Sequence, residues 1–315
     1  MIFFRATQLQ DIFNGIKNRF MVKCVLIIVL FVFLVNPIKT FSQTKLVNER
    51  CLTDNSFDDR YASYSPSGEK IVFESNRDGN WEIYLMDSNG NNVRRLTFNE
   101  ADDRRPTWHP SGKKVLFEST RNGENELYTL NLRYLKTKQI TNFVKGEPLF
   151  GNFSPDGKLI AVGLKESEDI TNIILLDRKG RKVNELTNSN KRSNYPKWSK
   201  DGSKIVYFSR KETNNQDDEI YSYTITNGTG KRLTHWPKHN FCPSWSSDGS
   251  KIAYVTSMEG TRPEIYVMDS DGKNQVRITT NEDGDTLPNW APNGNKLIIT
   301  GYRNGNFQIC ELELK

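Results

Sequence analysis

Histidine and cysteine are scarce in this 315-residue chain, which has three of the first and four of the second. A metal site made of several imidazoles has few sources here, because His109 lies far from His235 and His239. No G-x-S-x-G segment occurs, which excludes the nucleophilic serine elbow of an α/β-hydrolase. Long apolar runs are also missing. The longest, Cys24 to Val35, has 12 residues, whereas a helix needs roughly 20 to cross a bilayer. A mean hydropathy of -0.67 rules out a polytopic membrane protein. What the chain does have is aromatic material, with 17 Phe, 12 Tyr and 6 Trp, enough for a large core.

The formal charge of +6 suggests nucleic acid or an acidic membrane until its distribution is read. Arg5, Lys17, Arg19, Lys23 and Lys39 face only Asp11 within residues 1–42, so residues 43–315 carry a charge of just +2. Nucleic acid is not expected as a partner. A basic start, the 12-residue apolar run and the small side chains of Thr40 and Ser42 describe a signal peptide cleaved after Ser42. Met21 with Lys23 is itself a conventional signal start, so the start codon is Met1 or Met21. The expected organisation is an extension and signal over 1–42 and one domain over 43–315. The mature chain is expected to be a periplasmic or secreted monomer with no stable membrane span.

The segments YSPSGEKIVFES, WHPSGKKVLFES, FSPDGKLIAVGL, WSKDGSKIVYFS, WSSDGSKIAYVT and WAPNGNKLIITG align without gaps. Their glycines, Gly68, Gly112, Gly157, Gly202, Gly249 and Gly294, are spaced by 44 to 47 residues. Behind each comes a second apolar segment such as EIYLMD, and in five of the six a third segment ends in Leu-Thr or Ile-Thr. The glycine turns predict hairpins, and the short β-branched and aromatic segments predict strands. Four-stranded units at this period predict an all-β, six-bladed propeller. The sixth repeat stops at Lys315 after its third strand, while Leu46 to Thr53 matches an outer strand with no repeat ahead of it. The N-terminal strand is therefore expected to close the ring. Superposing blades sets Cys51 nearly opposite Cys310, which leaves either a clasp disulfide or two buried apolar cysteines.

The repeat P-x-W-S-x-D-G-x-K-I-x-Y, then E-I-Y-x-M-D-x-D-G, then L-T resembles the WD-repeat-like propeller repeat of the TolB family, from Leu46 to Lys315. The resemblance implies the fold firmly and the function loosely. The same repeat occurs in periplasmic TolB, in propellers of prolyl-oligopeptidase-type peptidases and in oligogalacturonate lyase-like enzymes. TolB carries an α/β domain ahead of its propeller, where only a signal and one strand are read here. The resemblance implies an envelope protein as partner.

Function is expected at the propeller mouth, since loops on a rigid scaffold carry binding residues. Three residues before a proline column (Pro106, Pro196, Pro243, Pro288) stand Asp59, Asp103, Asn240 and Asp285, with Arg77, Arg121, Arg210 and Arg303 after the second strands. A feature repeated in four blades is explained at least as well by loop structure, the arginines pairing with these aspartates or with Glu82, Glu126 and Glu219. Residues that break the repeat are the sharper candidates: Arg104, Arg105, His235, Trp236, His239 and Phe241. An exposed Trp between histidines stacks a sugar, anchors a peptide or plugs the channel. Asp269 to Gly272 begins like a calcium loop, but Thr280 stands where the twelfth-position glutamate belongs, so it reads as a turn. No catalytic residue, metal site or cofactor is expected. The reading is a non-enzymatic binding module for a protein, peptide or envelope glycan. A carbohydrate-active enzyme, oligogalacturonate lyase-like or glycosidase, is the alternative.

Overall fold

The repeats require every blade to be a sheet of hairpins. The computed structural model describes residues 44–315 apart from 144, 213–216, 236–238 and 258–261. It shows six four-stranded antiparallel sheets and, among the described residues, no helix. Blade one consists of Asp59–Tyr64, Lys70–Ser75, Glu82–Asp87 and Arg94–Arg95, from the channel outward. Blades two to six start from inner strands Asp103–Trp108, Glu147–Phe153, Ser193–Trp198, Asn240–Trp245 and Asp285–Trp290. The predicted signal peptide lies outside the described residues, among which no helix is long and apolar enough to cross a membrane.

Packing explains why the middle strands lack a polar face. Each blade is covered on both sides, so Ile71, Val72 and Phe73 are consecutive and all fully buried. At turns between third and outer strands, neighbouring backbones approach too closely for a side chain. A Cβ on Gly180 would lie 2.0 Å from the Ile140 carbonyl oxygen, and one on Gly272 2.7 Å from that of Leu233. Both glycines also have positive φ, at 79° and 93°.

The threonine of the Leu-Thr repeat is a staple. Its hydroxyl accepts the third strand's backbone N–H in every blade, from Thr97 with Ile83 at 2.9 Å to Thr279 with Ile265 at 3.0 Å. In blades one, four and five it also donates to a buried glutamate, Glu82, Glu219 or Glu264, that an arginine of the outer strand holds. Blade six takes its staple from the other end of the chain, where Thr53 accepts from Ile309 at 2.9 Å. Leu46–Cys51 pairs antiparallel with Asn306–Leu314, closing the ring with the N-terminal strand. Cys51 faces Cys310 in that register, and the two form a disulfide.

Candidate functional site

All six inner strands share one irregularity. The register slips between Arg60 and Ser63, and the same slip recurs at the matching place in the other five blades. At each slip one residue takes a left-handed conformation: Tyr61, Arg105, Phe150, Tyr195, Cys242 and Leu287, with φ from 50° to 58°. A bulge leaves a backbone position out of the ladder, which suits the proline that follows in four blades. The left-handed conformation costs a bulky residue about 1 kcal/mol or more, a strain borne six times over.

The bulges turn these side chains toward the channel, where residues of different blades meet. Phe150 lies 5.1 Å from Tyr195 and 6.3 Å from Tyr61, ring centre to ring centre. The Arg105 guanidinium sits over Phe150 at 4.5 Å and over Tyr61 at 5.7 Å. Arg105 is held by Glu118 at 2.5 Å, and its backbone N–H donates to Glu74 at 2.7 Å. Glu118 also accepts the Phe150 N–H at 2.6 Å. Burial pushes the Glu74 carboxyl above its ordinary value, against the pull of Arg105.

Above this ring a cavity of about 600 Å³ opens. Its walls come from blades one, three, four, five and six. Tyr61, Phe150, Tyr195, Phe208, Phe241 and Phe307 supply aromatic surface, and Arg60, Arg192, Arg210, Asp218, His239 and Thr300 supply polar groups. Asp218 is nearly consumed: it accepts from Arg192 at 2.5 Å and Arg210 at 3.0 Å, and His239 Nδ1 lies 3.4 Å away. Beneath the ring, a void of about 20 Å³ continues the channel, lined among others by Ser63, Thr107, Lys197 and Asn289. Tyr61, Phe150, Tyr195 and Leu287 border both spaces. Burial draws the Lys197 amine down to about 8 and pushes the Cys242 thiol up to about 12.

Of the residues singled out in the sequence, Arg105, Arg210, His239 and Phe241 border the cavity or the void. Asp59, Asp103 and Asp285 are fully buried and bind Arg77, Arg121 and Arg303 at 2.9, 2.7 and 2.8 Å. Burial pushes the Asp285 carboxyl up to about 6 even so. Those six side chains brace loops in blades one, two and six. Arg210 departs because Ser193 occupies the aspartate position of blade four, and it turns to Asp218 instead. Arg104 pairs with Asp102 at 3.0 Å and lies over Trp81 at 4.7 Å, outside the cavity. His235 is exposed, and Trp236 lies outside the described residues. His109, in its turn on blade two, packs edge-on against Phe153. Sequence reasoning missed Tyr61, Phe150, Tyr195, Leu287 and Lys197. For the first four the available signal was the position just before the proline column, rather than three before it, and Lys197 stands one past that column.

Metal ligation has little to draw on in this geometry. Among the described residues, one group of three candidate ligands converges, Glu49 with Cys51 and Cys310, and its two sulfurs are joined to each other.

The sequence profile of the TolB beta propeller domain matches residues 59–162 and 172–315. An uncharacterized protein of Agrobacterium fabrum is 33% identical over 149 residues, 47% of this chain and 49% of that protein, so the match spans about half the length of this curated relative. Among solved structures, a protein assigned as TolB from Agrobacterium tumefaciens superposes with a TM-score of 0.62 at 25% identity, covering 79% of each chain. TolB from Acinetobacter baumannii gives 0.61 at 22% identity over 84% of this chain and 66% of its own. An oligogalacturonate lyase in complex with manganese gives 0.62 at 16% identity over 85% and 93%, a likeness of fold alone. With the profile covering most of both the ring and its channel, the chain belongs to the TolB beta propeller domain family.

Proposed function

We propose that the protein is a non-enzymatic binding module of the cell envelope, periplasmic or secreted after cleavage behind Ser42, which takes a protein or peptide into the mouth of its propeller. The observation that carries this reading is the aromatic-walled cavity of about 600 Å³, which lies within the size range of ligand pockets. Aromatic rings fixed on strained bulges offer contact area at low entropic cost, as binding anchors do. The arginines at the rim, partly neutralised by Asp218, leave the mouth modestly positive. The likeness to TolB structures supports an envelope partner. An envelope glycan is the lesser form of the same reading. The carbohydrate-active alternative draws less support, because the lyase likeness is one of fold and the histidines of this chain do not converge.

Affinity capture from envelope extract tests it, comparing the wild type with a variant carrying His239→Ala and Phe241→Ala. Proteins retained by the first and lost by the second are the expected result. Retention of glycans instead, or turnover of oligogalacturonate by the purified protein, would move the assignment to the enzyme.

A further inference from the structure

The first hairpin turns, at the end of the blades away from the mouth, interlock around the ring. Pro66, Pro110, Pro155 and Pro292 each pack on the glycine of the following blade's turn. A Cβ on Gly112, Gly157, Gly202 or Gly68 would come within 3.4 to 3.9 Å of the proline ring. Ser247 fills the same place at Gly294, where a Cβ would lie 2.7 Å from its hydroxyl. Between blades four and five the interlock is missing. Lys200 stands where the proline belongs, and a Cβ on Gly249 would meet nothing within 4 Å. A cleft of about 330 Å³ opens there, lined by Lys200, Asp201 and Lys204 from blade four and by Ser247 and Asp248 from blade five.

A second departure from the repeat falls in the same cleft. In blades one, five and six the lysine that opens the second strand is held by a third-strand carboxylate: Lys70 by Asp87, Lys251 by Asp269 at 2.8 Å and Lys296 by Glu311 at 2.8 Å. In blade four Thr224 takes the place opposite Lys204. Among the described residues no carboxylate pairs with Lys204 or with Lys200, of which the first is half-buried and the second exposed. The two carboxylates of the cleft are tied within their own turns. Asp201 accepts from the Ser199 and Ser203 hydroxyls at 2.6 and 2.8 Å, and Asp248 from those of Ser246 and Ser250 at 2.6 and 2.8 Å. Both remain exposed, with lone pairs to spare.

We propose that this cleft binds an acidic sugar residue, its carboxylate or phosphate group on Lys200 and Lys204 and its hydroxyls on Asp201, Asp248 and Ser247. Two ammonium groups without partners call for an anion, whereas two carboxylates repel one and accept from hydroxyls. A ligand that is both anionic and hydroxylated answers the two halves of the lining at once. A bare anion or an acidic side chain would meet the lysines and bring the carboxylates nothing but its own charge. The site lies apart from the mouth and adds to the binding-module reading without depending on it.

Calorimetric titration of the purified protein at low ionic strength with glucuronate, glucose 6-phosphate, glucose, inorganic phosphate and a tetraglutamate peptide tests the proposal. At least one of the two sugar acids is expected to bind about tenfold more tightly than glucose, a preference that shrinks as salt is added. Lys200→Pro restores the residue of the neighbouring turns, so it should close the cleft and abolish binding. Thr224→Asp restores the ion pair of blades one and five, so it should draw Lys204 away and remove most of the preference for the acid. Both changes copy what other blades carry, and a cooperative melt by circular dichroism checks that each variant is folded. The double variant Lys200→Gln with Lys204→Gln, which leaves the turn as it is, should bind glucose and the sugar acids alike. Sugar acids no tighter than glucose, no binding at millimolar concentration, or a preference that survives in the double variant would overturn the proposal. Inorganic phosphate or tetraglutamate binding as tightly as the sugar acids would overturn it in favour of a bare-anion or acidic-peptide site.

Discussion

Blades one and two differ from blades four and six at one position on the second strand, and that position decides whether the propeller is filled or open. In the first pair it is Glu74 and Glu118, which accept the N–H of the next blade's bulge, Glu118 also holding the Arg105 guanidinium of its own blade. In the second pair it is Phe208 and Thr300, which border the cavity. Blade three has Gly163 there, and a Cβ on it would lie 2.1 Å from the Asn194 side-chain oxygen that accepts the Tyr195 N–H. The backbone bulge is common to all six blades, so the wall residue and not the scaffold makes the pocket. Where the second strand carries a glutamate its charge is spent inside the ring, and where it carries Phe208 or Thr300 the position borders the cavity.

The comparison breaks most completely if the open half loses its outer wall. A chain without residues 43–53 should lose cooperative unfolding or self-associate, because Asn306–Leu314 would become an exposed edge and Thr53 would no longer staple Ile309. A monomeric, cooperative melt by circular dichroism would contradict this. In the closed half, Glu118→Ala leaves Arg105 without its ion-pair partner and the Phe150 N–H without an acceptor. Chemical denaturation should show a loss of about 3–5 kcal/mol.

Lys197→Met sharpens the contrast from the other side. The native amine, at about 8 against a usual 10.5, holds its proton less tightly than the unfolded chain does. Wild-type stability should therefore rise between pH 8 and 10.5, where the unfolded state binds more protons, and the variant should lack that rise. At pH 7 without ligand the variant should be more stable by about 1–3 kcal/mol, an advantage that shrinks as the pH climbs. Equal pH profiles for the two proteins would mean Lys197 is not desolvated. The smallest effect is expected from Thr300→Val, within about 0.5 kcal/mol of the wild type, because its hydroxyl makes no bond to lose.

The ring was legible in the sequence because the same chemistry recurs where the same geometry does. Glycine marks the first hairpin of every blade, and a threonine hydroxyl caps each third strand. The Asp59, Asp103 and Asp285 columns were visible for the same reason, and they are bound to arginine rather than to open space. The channel was not legible. Its six left-handed residues are Tyr, Arg, Phe, Tyr, Cys and Leu, which share a backbone conformation and no side-chain chemistry. No glycine announces the positive φ, because tertiary packing and the bulge impose it on residues that resist it. Lys197 is likewise an ordinary surface-type residue by composition, and only the convergence of inner strands brings it to the channel.

The bond between Cys51 and Cys310, 259 positions apart, turns most of the chain into a covalent loop. A protease that nicks one hairpin of such a loop releases no fragment, because the two resulting segments stay joined through the disulfide. Two cuts are needed to release a piece, and between the first and the second the remaining blades still hold the severed edges in place. The clasp thus gives the propeller a tolerance to surface damage that an open-ended ring of the same six sheets would lack.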